Sequence, residues 1–551
     1  MADAAGNPSA FGPEQRLTGA YLAIALLALF VGVVTGLFQA LSHAGINLYP
    51  QLTPVVASYY QGLTLHGVLN ALVWTTFFIC GFLQFMATRA LERPLASRGL
   101  AWATYGLMTG GLVLAAVPLV GNAATVMFTF YPPLRAHWAF YVGLTLVVAG
   151  TWLVTLNLLW TYRAWRAQHS GERTPLAAFM ALVTFAMWSI ASLGLAAEML
   201  GLLIPWSLGW QQGTDPLLAR TLFWFTGHPI VYFWLLPTYI SWYTLIPRQA
   251  GGRLFSDPMA RASFVLFLLL STPVGLHHQF TDPGIGQGWK LLHAFLTFAV
   301  FFPSLLTFFN VVASLESGAR ARGGKGLIVW FAKLPWGDPS LTAQVLAMLL
   351  FAFGGIGGLV NASYSLNLVV HNTAYIVGHF HLTVGTAVTL SFMGITYWLV
   401  PVLRGRGLWS RGLALVQSWL WFVGMALFSF ALHDLGILGM PRRTMISAAP
   451  YIQPEWKTLQ PLVGIGGTLL FVSAMLYFLN LIMTWVASRA PAPDMPAFAE
   501  ALSGPEEAPS ILDRWRPWLV LTIIFLVLAY AHPLIHLVSN TPLNVPGMRV
   551  W

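Results

Sequence analysis

Charge is scarce in this chain. Only 8% of its 551 residues are Asp, Glu, Lys or Arg, against 57% hydrophobic ones. Soluble proteins carry about 25% charged residues, so a water-exposed globule is excluded and a polytopic membrane protein remains. Cysteine is nearly missing too. Cys80 stands alone in an apolar run, which excludes an intrachain disulfide, a thiolate-bridged metal pair and a Cys-x-x-Cys-His haem attachment. It reads as a small core hydrophobe. Residues 1–17 are polar and lack a basic stretch, so no cleaved signal peptide is expected. Long polar stretches are also absent. The longest, about 487–514, is rich in Pro, Ala and acidic residues and reads as a loop.

What fills the chain is apolar sequence in thirteen runs long enough to span a bilayer: 18–42, 62–88, 98–120, 137–162, 176–206, 216–247, 260–280, 289–314, 340–363, 371–402, 411–433, 459–487 and 515–538. We therefore expect an all-α membrane bundle forming one catalytic domain over 1–551. With the N-terminus in the cytoplasm, twenty of the 27 Lys and Arg fall on the inner side and seven on the outer. That asymmetry follows the positive-inside rule. It also explains the formal charge of +10 without a nucleic-acid partner. The C-terminus is then expected outside.

The stretch His371-Asn-Thr-Ala-Tyr-Ile-Val-Gly-His379-Phe-His381 carries two histidines two residues apart. On a helix this is about 200° of rotation, so the rings leave opposite faces. In the expected topology His66, His228, His277, His278, His379 and His381 all fall in the outer half of the membrane. Intramembrane ionisable groups are costly and usually functional, and six at one depth do not read as independent packing residues. Gly227-His228-Pro229-Ile230-Val231-Tyr232 joined to His277-His278 offers three imidazoles, a donor set that suits copper. The adjacent pair requires irregular backbone, which Pro273 and Gly275 permit. Tyr232 lies one turn from His228 on the same face. His66, in Thr-Leu-His-Gly-Val-Leu-Asn, and His381 can ligate one haem iron from two sides, with Gly67 leaving room for the macrocycle. His379 then holds a second haem from one side only.

These motifs resemble subunit I of the haem–copper terminal oxidases, and most of all the B-type, ba3-like enzymes. The resemblance covers essentially the whole chain. It implies a cytochrome c oxidase that pumps protons and reduces O2 to water, in a bacterial or archaeal cytoplasmic membrane. It implies a low-spin haem, of b type, on His66 and His381, a high-spin haem, of a type, on His379, and one copper ion, CuB, on His228, His277 and His278. Tyr232 would be cross-linked to the His228 ring. Arg442 and Arg443 match the family's propionate-binding pair, in keeping with the affinity of guanidinium forks for carboxylates. Because this chain has no electron-entry domain, the resemblance implies a subunit II carrying CuA, cytochrome c as donor and, further, a small single-helix subunit.

A-type relatives have Glu where this chain has Ile230, so one of their two proton routes is expected to be missing. The remaining route is expected to run along Tyr239, Ser241 and Tyr243 with Thr307 and Asn310, resembling the K-type channel; Asn310 stands where the family pattern has threonine. His371, Asp282 and Arg220 are expected to handle protons on the outer side, and Glu198, near the outer end of the fifth run, is a further candidate without a clear partner. Three rivals share parts of this pattern. A nitric oxide reductase uses iron in place of copper and lacks the tyrosine. A quinol oxidase differs in its electron donor. A cofactor-free transporter carries no haem.

Overall fold

The computed structural model describes residues 12–53, 55–540 and 544–549. Fourteen helices form the body. We number them α1 (Gly12–His43), α2 (Tyr59–Ala90), α3 (Arg98–Val120), α4 (Trp138–Gln168), α5 (Leu176–Ser207), α6 (Pro216–Gly227) and α7 (Pro229–Thr244), then α8 (Asp257–Leu270), α9 (Gln287–Ala321), α10 (Pro339–Ala362), α11 (Ala374–Arg404), α12 (Arg411–Ile437), α13 (Gln460–Val486) and α14 (Trp515–Ser539). Among the described residues, eleven helices are long and apolar enough to cross a membrane. The other two expected spans are each broken. Run 216–247 divides at His228, between the Gly227 that ends α6 and the Pro229 that starts α7. Proline cannot supply the N–H that would continue the helical ladder. Run 260–280 stops as α8 at Leu270, and after Pro273 it resumes as a 3-10 turn, Gly275–Gln279. The apolar sequence is continuous across both breaks, so these two runs are not single helices.

Helix starts follow ordinary capping chemistry. Ser97, Asp338 and Ser410 each accept a hydrogen bond from the backbone N–H three residues on. Helices α2 and α11 lie at the centre, with 89% of each apolar window buried, whereas α14 lies at the edge with 28%. Both central helices contain a π-helical stretch, Val68–Trp74 in α2 and Thr383–Val388 in α11. Each starts two residues after a ligand-type histidine, His66 or His381, and π-turns concentrate at functional sites. Outside the helices, β1 (Leu254–Ser256) pairs in parallel with β2 (Ala501–Ser503), tying the expected 487–514 loop to the start of α8.

Candidate metal and haem centre

The structure gathers the six histidines around one cavity of about 400 Å³. The rings of His66 on α2 and His381 on α11 face each other with centroids 6.1 Å apart and planes 10° from parallel. Two imidazole nitrogens at about 2 Å from one metal atom place ring centres at roughly this separation. Their protons are accounted for. His66 Nδ1–H donates to the Gly32 carbonyl of α1 at 2.8 Å, and His381 Nδ1–H to the Val377 carbonyl at 2.8 Å. His379 Nδ1–H donates to the Gly354 carbonyl of α10 at 3.0 Å. A carbonyl can only accept, so each ring carries its proton on Nδ1 and presents a bare Nε2. That is the tautomer a metal needs, fixed by the outer partner. A side chain on Gly36 would strike the His66 ring, so this glycine of α1 lets the imidazole reach the carbonyl. Gly67 has another role than expected. A Cβ there would press on Phe128 at 3.0 Å, so the glycine also admits that ring.

The second centre is built on broken backbone. Ring nitrogens of His228, His277 and His278 lie within 4.8 Å of one another. His228 Nδ1 faces His278 Nε2 at 3.2 Å, while His228 Nε2 meets the Tyr232 hydroxyl at 3.1 Å. His277 Nδ1 pairs with Thr297 Oγ1 at 2.8 Å. Thr297 spends its own proton on the His293 carbonyl, at 2.6 Å, so its oxygen accepts from His277 and leaves His277 Nε2 bare. Trp224 stacks on His278 at 3.6 Å and 8°, fixing that ring plane. Imidazole nitrogens of three histidines converge closely enough to share one cation, and the all-nitrogen set suits copper.

One wall of the cavity is basic. Arg442 holds Asn372 Oδ1 through Nε at 3.1 Å and Nη2 at 2.7 Å. Arg443 lies over the Phe128 and Tyr131 rings, 5.7 Å from each. Asn372 and Arg443 both adopt left-handed backbone, φ 58° and 59°, and such strain in non-glycine residues concentrates at ligand clamps. Burial and then the like charge of Arg443 lower Arg442 to about 9; burial lowers Arg443 as well. Arg443 Nη2, Arg220 Nε and Tyr131 Oη are buried without a hydrogen-bond partner. Such orphaned donors at one end of a cavity fit the carboxylates of a haem. Arg220 is paired with Asp282 at 3.0 Å and lies 4.7 Å over Tyr131. His371 lines the same wall and bonds Asn367 Oδ1 through Nδ1 at 3.0 Å. Burial, then Arg442 and Arg220, lower His371 to about 4.

Two sequence-named residues stand away from the tyrosine line. Tyr239 bonds Ser304 at 3.3 Å and Tyr243 bonds Thr307 at 2.8 Å, both across to α9. Ser241 instead bonds Gln344 of α10 at 2.7 Å, because two residues along a helix reverse the face. Asn310 gives both ends of its amide to the Ser256 backbone, at 3.0 and 2.8 Å, and so anchors β1. Ser304 was missed in the sequence, although it lies one turn before Thr307. Glu198 is fully buried with both carboxylate oxygens unpartnered, beside the π-turn Met199–Leu203.

Residues 16–469 match the family model described as cytochrome c and quinol oxidase polypeptide I. This chain is a subunit I of the haem–copper oxidase family. It is 48% identical to cytochrome c oxidase subunit 1 of Thermus thermophilus over 98% of this chain and 97% of that one. A Halobacterium salinarum cytochrome c oxidase polypeptide 1 is 25% identical over 83% and 77%. A solved haem–copper terminal oxidase, described as a dimer, superposes with a TM-score of 0.93 at 39% identity, covering 98% of this chain and 95% of that one. As a haem–copper oxidase subunit I, the chain is a multi-span membrane enzyme of the oxidoreductase class whose family carries haems and copper.

Proposed function

We propose that residues 1–551 form the catalytic subunit of a proton-pumping cytochrome c oxidase that reduces O2 to water. The carrying observation is the Tyr232 hydroxyl 3.1 Å from His228 Nε2, beside three converging imidazoles. His66 and His381 hold a low-spin haem, which we assign to the b type. His379 holds a high-spin haem of a type, and His228, His277 and His278 hold copper. Together these groups supply the electron-transfer and oxygen-binding chemistry that side chains lack. Tyr232 holds a proton at its hydroxyl next to the copper ligand. Tyr239, Tyr243, Ser304 and Thr307 carry protons inward-to-outward toward it. Arg442 and Arg443 clamp carboxylates, while Arg220, Asp282 and His371 receive or release protons at the outer wall.

The topology we assign is N-terminus inside and C-terminus outside in a bacterial or archaeal cytoplasmic membrane. Cytochrome c is the donor, delivering electrons through a subunit II with CuA, and a small single-helix subunit completes the complex. A reduced-minus-oxidised spectrum with metal analysis tests this reading. We expect two haem signals, one low-spin and one high-spin, with copper. Iron in place of copper would make it a nitric oxide reductase. Rapid turnover with a quinol and none with cytochrome c would move the donor.

A further inference from the structure

The family match ends at residue 469, well before α14, yet α14 reaches the copper triad. Tyr530 Oη accepts the Gly275 backbone N–H at 2.8 Å. His293 of α9 bridges the same two parts. Its Nδ1 accepts the Leu276 N–H at 3.2 Å, so its proton is on Nε2, which donates to the Ala529 carbonyl of α14 at 3.2 Å. Its backbone carbonyl takes the Thr297 hydroxyl, whose oxygen holds His277 Nδ1. Gly275 and Leu276 are the two residues before His277-His278. They lie in a 3-10 turn whose N–H groups have few partners of their own. Tyr530 is 2% exposed and His293 0%, so neither bond competes with water. A Cβ on Gly275 would run into the Trp224 carbonyl and the Tyr530 hydroxyl, so the turn is closely confined.

We propose that Tyr530 and His293 are positioning residues for copper, through which the last helix sets the turn that aims His277 and His278. The inference rests on the copper reading of the triad. Without these acceptors two buried N–H groups are orphaned and the turn rotates to satisfy them. Outer partners of metal ligands are worth roughly 10- to 100-fold in metal affinity.

The test uses the purified oxidase complex with Tyr530→Phe, His293→Leu and His293→Asn. Copper per haem iron is measured against a His277→Ala baseline, which records copper held elsewhere in the complex. The infrared stretch of carbon monoxide on the reduced copper is recorded for each. Tyr530→Phe and His293→Leu should lose copper roughly 10-fold more readily to a chelator and shift or broaden the stretch, with the low-spin haem spectrum unchanged. His293→Asn restores an acceptor for Leu276 and should recover most of the copper. Wild-type copper retention and an unshifted stretch in Tyr530→Phe and His293→Leu would overturn the inference alone. So would parallel loss of copper and both haems, equal in His293→Leu and His293→Asn. A wild-type complex whose copper equals the His277→Ala baseline would overturn the copper reading, and this inference with it.

Discussion

The haem histidines and the copper histidines solve opposite geometric problems. His379 and His381 must look away from each other, and a regular helix does this with a separation of two residues. His277 and His278 must look toward one point, and no regular helix lets neighbours do so. The first pair therefore sits on α11, 89% buried in its apolar window; His381 bonds the Val377 carbonyl of the same helix and His379 the Gly354 carbonyl of α10. The second sits on a 3-10 turn after a proline, and His228 sits at the joint between α6 and α7. The comparison teaches that divergent ligands need rigidity along one element, whereas convergent ligands need a break and outside support.

The largest effects should come from the rigid side. His66→Ala should abolish the low-spin haem spectrum and cut turnover by at least roughly 100-fold, since one of two axial nitrogens is gone. A surviving low-spin spectrum would break the assignment. Tyr232→Phe should leave both haem spectra and copper in place and reduce O2 consumption by a similar factor. Rapid turnover there would make the tyrosine a packing residue. On the broken side, Gly275→Ala should lose copper while the low-spin haem stays, because the methyl has only the Trp224 carbonyl and Tyr530 hydroxyl to meet. Equal loss of both centres would erase the contrast between the two regions.

A smaller contrast separates two faces of α7. Thr307→Val should slow turnover about 10-fold with unchanged spectra, by removing the partner of Tyr243. Ser241→Ala should leave turnover near wild type, since that hydroxyl is spent on Gln344. The smallest effect concerns pH. His371 is held neutral in the folded chain, titrating at about 4, while the unfolded chain binds a proton near 6.5. The folded state therefore binds fewer protons between these values, and stability should fall as pH drops from about 6.5 toward 4. His371→Gln should flatten that slope in thermal melts of the complex at several pH values.

The helices and the grouping of the histidines were legible because hydropathy and helical period are written locally. The two breaks were only half legible. Gly227-His228-Pro229 and Thr272-Pro273 announce irregular backbone, but the apolar run hides where the helix stops. Ser241 and Asn310 were misplaced because adjacency in sequence does not say which neighbour a side chain faces. His293 looked idle for the same reason: its partners lie on α14 and in the turn before His277, and nothing near residue 293 encodes them.

The lining of the cavity has a consequence for charge balance. It contains eight histidines, His43 and His371 beside the six ligand-type ones, the cationic Arg220, Arg442 and Arg443, and, among the described residues, no aspartate or glutamate. The three haem-type imidazoles bond peptide carbonyls, so they stay neutral and bring no counter-charge. In an interior of low dielectric constant, adding a negative charge without compensation is expensive. Among the described residues, only Arg220 of the three arginines is paired with a carboxylate, Asp282, so the lining is net positive and its fixed cations meet an added negative charge. A lining charged in this way can hold an anionic group, such as a ligand's carboxylate, without importing a counter-ion.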